Sequence, residues 1–223
     1  MNKFRCLAID TATEQPSVAA CHGEKFASRQ FGGARETEQI FTHVQHVLAQ
    51  TGQVLADLDC IAVGCGPGSF TGLRVGVAAA QSLAFGAGLP VCRLSSLAVI
   101  AFGAGRRAGV GRVAAAFDAR MGEVYAGYYE IRETGVSPLM PDQVIAPEHL
   151  DFPGADSFIA VGPGWSAYPV MATQFAPRVL SVDGDAYPAA ADLLLMSRPL
   201  FESGQTQAAA TVLPQYLRDR VTG

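Results

Sequence analysis

Lysine is nearly missing from this 223-residue chain: only Lys3 and Lys25 occur, against 14 arginines. Chemistry that runs through a Schiff-base lysine therefore has almost no candidates. Charge of either sign is scarce, at 16% of residues, and the formal net charge is −4. A chain that grips nucleic acid unaided needs a clustered basic surface, so any RNA contact is expected to belong to a partner. No CxxC pair is present. The five cysteines, Cys6, Cys21, Cys60, Cys65 and Cys92, are odd in number and sit mostly in apolar strand-like runs. They read as reduced core thiols of a cytoplasmic protein, neither disulfides nor zinc ligands. A basic n-region, a long apolar h-region and a small-residue cleavage site are all missing after Met1, so no secretion signal is expected. The longest mainly apolar helical stretch, Val75 to Leu89, is broken by Gln81, Ser82 and several glycines. It falls short of the ~20 residues that a membrane span needs. A soluble chain without membrane contact is expected.

What is present is apolar: 49% of residues are hydrophobic, enough for a substantial core. Cys6 to Ile9 forms a short apolar strand ending at Asp10, followed by a polar turn and a second β run, Ser17 to Cys21. Lys25 to Phe31 supplies a third strand. In Glu36 to Gln50 the apolar residues Ile40, Phe41, Val44, Val47 and Leu48 share one helical face, and Gly52 ends the helix. Cys60 to Val63 is a strand running into a glycine-rich loop. A helix from Thr71 to about Gly88 follows, and then a strand, Leu89 to Leu94. Strand, helix and strand in this order imply a parallel crossover.

The second half repeats this layout. Val113 to Phe117 ends at Asp118, turns through Met121 and Gly122, and returns as Glu123 to Ile131. Ile159-Ala160-Val161-Gly162 echoes Ile61-Ala62-Val63-Gly64, and each run enters a Gly/Pro loop. The shared order argues for duplication, with lobes at residues 1–102 and 103–223 and a linker at Gly103 to Gly111. Ala189 to Glu202 reads as a late helix of the second lobe, and the ending is irregular or extended.

The loop Gly64 to Gly76 (GCGPGSFTGLRVG) is the most distinctive segment. Its glycines allow close backbone approach, and Ser69 or Thr71 can cap the following helix. A Walker A loop needs a lysine that is not there, and a Rossmann loop needs an acidic residue where this chain has Arg93. Spacing alone favours a tight strand-to-helix turn. Gly76, Gly86, Ala78, Ala79, Ala80 and Ala84 then make a thin helix that another helix can approach, either within the chain or in a partner.

Four segments together closely resemble the bacterial TsaB (YeaZ) family: LAIDTAT at Leu7 to Thr13, GPGSFTGLRVG at Gly66 to Gly76, FDARMGEVYAG at Phe117 to Gly127, and YLRD at Tyr216 to Asp219. The resemblance implies an α/β actin-like ATPase (ASKHA) fold of two duplicated lobes, each a mixed β-sheet flanked by helices. It also implies a role in making threonylcarbamoyladenosine at adenosine 37 of tRNAs that read codons beginning with A. Members of the family pair with a catalytic homologue, TsaD, and with a small ATPase, TsaE, and meet tRNA only through the complex. A homodimer of this chain through the same helical surface, when the partner is absent, is a further possibility.

The catalytic relatives carry a metal-binding H-x-x-x-H whose two positions fall on Ser96 and Ile100 here. Neither side chain replaces an imidazole. The resemblance therefore implies no catalytic residue, no metal site and no intrinsic cofactor, with ATP or ADP expected only at the complex interface. The partner surface is placed on Ile40, His43, Val44, Val47, Arg74, Gly76, Val77, Ala80 and Ala84. A nucleotide contact is placed, as a weaker expectation, on Asp10, Gly66, Gly68 and Ser69. Asp10 and Asp118 hold strand-end positions that carry magnesium-linked carboxylates in active members of the wider fold. The plainer reading, that each caps its own turn, is preferred. Arg74 and Arg120 suit phosphate, a partner's carboxylate or open solvent. His43 and His46 form an H-x-x-H pair that reads as surface or interface histidines. The competing function is a stand-alone enzyme, either an ATPase or kinase-like member of the fold or a metalloprotease-like protein.

Overall fold

The computed structural model describes residues 4–32, 39–109, 111–133 and 135–218. The chain divides into two compact units, one of residues 1–96 with 188–215 and one of residues 97–187 with 216–223.

In the first unit, β1 (Arg5–Asp10), β2 (Ser17–His22) and β3 (Lys25–Gln30) form an antiparallel meander. Helix α1 (Ile40–Thr51) follows; residues 36–38 of the helix predicted from sequence lie outside the described residues. Gly52 closes α1 at φ 71°, a left-handed conformation that glycine adopts freely. Strand β4 (Cys60–Gly64), helix α2 (Phe70–Ala87) and strand β5 (Val91–Leu94) make the parallel crossover, so the sheet order is β3-β2-β1-β4-β5.

Alternation along the strands sends Leu7, Ile9, Val18, Ala20, Ile61 and Val63 to the face covered by α1 and α2. Each leucine, isoleucine or valine of this set, fully withdrawn from water, contributes roughly 1.5–3 kcal/mol. The opposite face is covered by α6 (Ala190–Glu202), which packs on β1, β2, β4 and β5. The sequence-based division at residue 102 leaves this helix in the second lobe, but its apolar stripe of Leu193, Leu194 and Met196 is buried in the first unit. Ser17 at the start of β2 accepts the N–H of Ala190 at 2.9 Å and so caps a helix that has no cap of its own.

The second unit opens with α3 (Ser96–Ala108). The predicted linker at Gly103 to Gly111 is largely this helix. Gly105 is needed inside it because a β-carbon there would press on Ile131 and Val113. Strands β6 (Arg112–Arg120), β7 (Glu123–Arg132) and β8 (Gly135–Ile145) form a second meander. Strand β9 (Phe158–Val161), the short helices α4 (Pro163–Ala167) and α5 (Val170–Gln174), and strand β10 (Val179–Asp183) complete the unit. Its sheet order, β10-β9-β6-β7-β8, read from the other edge is the order of the first sheet. The duplication and the actin-like plan expected from the sequence are thus present strand for strand. An aromatic core of Tyr128, Phe152, Phe158, Trp165 and Phe175 fills this unit, and Trp165 donates its indole N–H to the Ala114 carbonyl at 3.1 Å.

Candidate functional site

Strand β4 delivers the chain into the glycine loop, where the Gly66–Pro67 peptide is cis. The loop is bound on several sides within the first unit. Cys65 N–H donates to the Leu94 carbonyl at 2.9 Å, Gly66 N–H to Ser96 Oγ at 3.2 Å and Ser69 N–H to the Ala12 carbonyl at 2.7 Å. Ser96 N–H returns a bond to the Gly66 carbonyl, and Gln215 N–H donates to the Cys65 carbonyl at 2.7 Å. Ser69 caps α2 by accepting from Gly72 N–H at 3.4 Å. A phosphate cradle needs amides turned outward. The amides of Cys65, Gly66 and Ser69 are instead satisfied inside the chain.

The glycines of this segment serve a second contact. A β-carbon on Gly68 would collide with Ala12, and one on Gly72 or Gly76 with Thr11. Thr11 Oγ1 donates to the Gly72 carbonyl at 2.7 Å. Gly72 and Gly76, four apart on one face of α2, together with Gly68 just ahead of the helix, seat the turn after β1 directly on this segment's backbone. Gly76 therefore serves packing within the unit.

Asp10, at the end of β1, is wholly buried. Its Oδ1 accepts from Ala12 N–H at 3.0 Å, which is the turn-capping role expected for it. Its Oδ2 has no hydrogen-bond partner among the described residues and rests against Gly64, where any side chain would strike it. Burial pushes the Asp10 carboxyl up to about 7, with the Ala12 bond pulling the other way. The duplicate carboxylate, Asp118, is differently placed. It accepts from Arg120 N–H at 2.8 Å and Tyr168 O–H at 3.1 Å, and its other oxygen lies 3.1 Å from the Arg120 guanidinium.

Ser96 and Ile100, the positions expected from the resemblance to match a metal-binding histidine pair, are filled by structural contacts. Ser96 is buried and accepts from Gly66 N–H, and Ile100 is buried hydrocarbon. Among the described residues no group of three or more His, Cys, Asp or Glu side chains is arranged to hold a metal ion. His43 is buried and stacks on Phe31 with ring centroids 4.3 Å apart, whereas His46 is exposed, so the H-x-x-H pair is divided between core and surface.

Most of the predicted partner surface turns inward. Ile40, Val44, Val47, Val77, Ala80 and Ala84 belong to the core beneath α1 and α2. Apolar residues at helical spacing mark the face a helix buries against its own sheet. Arg74 is exposed and lies over the Phe70 ring, 3.2 Å from its centroid. Of the weaker nucleotide set, Gly66 is buried, Gly68 half-buried and Ser69 exposed.

The outward faces carry a further feature, and it includes Phe41, which the periodicity places on the buried face but which is exposed here. On α1 they present Phe41, Thr42, Gln45, His46, Ala49 and Gln50, without a carboxylate, lysine or arginine. On α2 they present Phe70, Arg74, Ala78, Ser82 and Phe85, with Arg74 the single formal charge of that row. Phe85 is 77% exposed and Phe41 47%. A groove of about 340 Å³ opens here, lined by Phe41, Leu48, Val54, Leu55 and Leu83 among others. No helix among the described residues is long and apolar enough to cross a membrane.

Residues 27–221 match the family model described as "TsaD: tRNA N6-adenosine threonylcarbamoyltransferase". The tRNA threonylcarbamoyladenosine biosynthesis protein TsaB of Escherichia coli is 38% identical over 226 residues, covering 98% of this chain and 96% of the relative. The protein of the same name from Haemophilus influenzae is 35% identical, covering 100% and 97%. The solved structure of YeaZ from Pseudomonas aeruginosa superposes with a TM-score of 0.90 at 35% identity, covering 96% of this chain and all of that one. With this fold, this loop and this similarity across nearly its whole length, the chain belongs to the TsaB (YeaZ) family of tRNA threonylcarbamoyladenosine biosynthesis proteins.

Proposed function

We propose that this chain is a non-catalytic subunit that activates threonylcarbamoyl transfer to adenosine 37 of tRNA, acting in the cytoplasm with a TsaD-like catalytic homologue and a TsaE-like ATPase. The observation that carries this reading is the charge-poor outer surface of α1 and α2, with Arg74 as its single formal charge, Phe85 standing into solvent and Phe41 lining an apolar groove. A side depleted of charge, bearing exposed aromatics, has the composition of the core of a protein interface. The revised partner surface is therefore Phe41, Gln45, Ala49, Val54, Leu83 and Phe85, of which only Phe41 belongs to the apolar stripe that periodicity picks out. Support for the non-catalytic role comes from Ser96 and Ile100, which are engaged in packing and offer no imidazole. We place ATP or ADP in the assembled complex and not on this chain's own loop, because the loop amides of Cys65, Gly66 and Ser69 bond internally.

The test is reconstitution of tRNA modification from the catalytic homologue, the ATPase and this chain. Omitting the chain should abolish or strongly reduce the rate; an equal rate without it ends the activator role. Phe85→Glu and Phe41→Glu should leave the isolated chain folded, since both positions are exposed, and weaken pairing at least tenfold in sedimentation or calorimetry. Unchanged affinity in both variants would move the interface elsewhere. If the purified chain alone dimerises, the same substitutions should release monomer.

A further inference from the structure

Four of the five cysteines stand in one row. Cys21 on β2 is the direct cross-strand partner of Cys6 on β1, and Cys6 is in turn the register partner of Cys60 on β4. Cys60 Sγ lies 3.6 Å from Cys6 Sγ, and Cys92 Sγ on β5 lies 4.0 Å from Cys60 Sγ. Register partners in a sheet project to one face, here the face under α6. Ser197 of that helix touches both ends of the buried portion, with Oγ 3.4 Å from Cys6 Sγ and its carbonyl 3.6 Å from Cys92 Sγ. Cys6, Cys60 and Cys92 are fully buried, whereas Cys21 is half-exposed where the row runs out from under the helix. Arg198 and Asp59 are the charged groups beside it, the first favouring thiolate and the second opposing it. Cys65 faces the other side of the sheet, among the α1 and α2 contacts.

From this row we infer a thiol-oxidation site in which Cys21 reacts with hydrogen peroxide and Cys6 resolves it as a cross-strand disulfide. The Cys21 thiolate attacks one peroxide oxygen, the O–O bond breaks, and the hydroxide released takes up a proton to leave as water. This gives the Cys21 sulfenic acid. Cys6 sulfur then attacks the Cys21 sulfur, the S–O bond breaks, and the departing hydroxide carries off the Cys6 proton as a second water. The two sulfurs lose two electrons, and one peroxide is reduced to two waters. The geometry suits the bond, because directly opposed residues of antiparallel strands have Cα atoms about 4.5–5.5 Å apart, within the disulfide range. Access orders the events: peroxide reaches Cys21 first, and the resolving thiol is already its neighbour. The site lies on the sheet face opposite α1 and α2, so it stays outside the proposed partner surface. Burial, reinforced by Cys6, pushes the Cys21 thiol up to about 11. The thiolate is therefore scarce at neutral pH, and the reaction is a slow stress response that speeds up about tenfold per pH unit below that value.

The test is peroxide treatment of the purified full-length chain, followed by intact-mass measurement and peptide mapping without reductant. The expected result is loss of the mass of two hydrogens, one peptide pair joined through Cys21 and Cys6, and three thiols still free. Cys21→Ser should keep its remaining thiols through the same treatment. Cys6→Ala should accumulate a Cys21 sulfenic acid that a dimedone probe traps. Because Cys6→Ala removes a buried group, the wild-type map carries the decision on its own if that variant fails to fold. Cys21 oxidised to sulfinic or sulfonic acid without a cross-link, a cross-link that bypasses Cys21, or five free thiols after treatment would each overturn the assignment.

Discussion

Asp10 and Asp118 show how duplicate residues part ways under different surroundings. Asp10 ends β1 and Asp118 lies two residues before the end of β6, and each accepts the backbone N–H two residues further on. Asp118 adds a tyrosine hydroxyl and an arginine, whereas Asp10 is sealed against Gly64 with one oxygen unpartnered among the described residues. The buried carboxyl is raised from 3.8 to about 7, and the sign of its effect on stability follows. Between these values the folded chain holds a proton that the unfolded chain has released, so stability falls as pH rises through that window and levels off above about 7. The span corresponds to a ceiling of about 4 kcal/mol. Thermal or urea unfolding should show the wild-type chain losing stability from pH 5 to pH 8. Asp10→Asn, which carries no titrating group there, should flatten that decline and exceed the wild type at pH 8. Parallel curves for the two proteins would show that Asp10 titrates normally.

Helix α2 shows the same residue type in two roles. Gly72 and Gly76 sit where a β-carbon would meet Thr11, and Gly86 sits in open space on the exposed face. Alanine at Gly72 or Gly76 should push the β1–β2 turn off the helix and cost about 1–3 kcal/mol. Alanine at Gly86 should add up to about 1 kcal/mol through helix propensity alone. Equal effects at the three sites in chemical denaturation would refute the packing role. The small residues Gly76, Gly86, Ala78, Ala79, Ala80 and Ala84 made a close approach to this helix legible in the sequence. What approaches it was not legible, because a turn some sixty residues earlier in the chain is brought there only by the parallel pairing of β1 with β4. A similar limit explains the inward-facing residues Val44, Val77 and Ala80. Period 3.6 finds the apolar stripe, and that stripe belongs to the sheet. Phe41 has the spacing of that stripe yet is 47% exposed, and Phe85 lies outside it at 77%, so both are visible as surface only once the fold is known. The two hairpins, the repeated strand-to-loop units and the late helix could all be read in advance from alternation and turn residues. Strand β10 could not, since Leu180-Ser181-Val182 is short and sits at a sheet edge.

At the scale of the molecule, the chain's halves are not its folding units. Residues 188–215 return to the first sheet, where α6 covers the face that bears Cys6, Ala8, Ala19, Cys60, Ala62 and Cys92. The tail after α6 is tied to the same unit. Val91 and Gln207 exchange two backbone hydrogen bonds at 2.9 Å, Gln81 donates to the Val212 carbonyl at 2.9 Å, and Arg93 Nε donates to the Leu213 carbonyl at 3.1 Å. A fragment of residues 1–102 would keep every strand of its sheet and both helices of the other face, yet leave this row of small apolar side chains in water. Small residues on a sheet cannot close over one another, so the missing cover is not replaced by local collapse. The fragment should therefore unfold without a cooperative transition and bind a hydrophobic dye. Joining residues 188–215 to it through a flexible glycine-serine linker should restore a single sharp transition. The comparison isolates the helix and tail, because both fragments contain the same sheet and the same glycine loop. If residues 1–102 alone melt as sharply as the joined form, α6 is an ornament on a self-sufficient lobe, and the sequence-based boundary at residue 102 is the physical one.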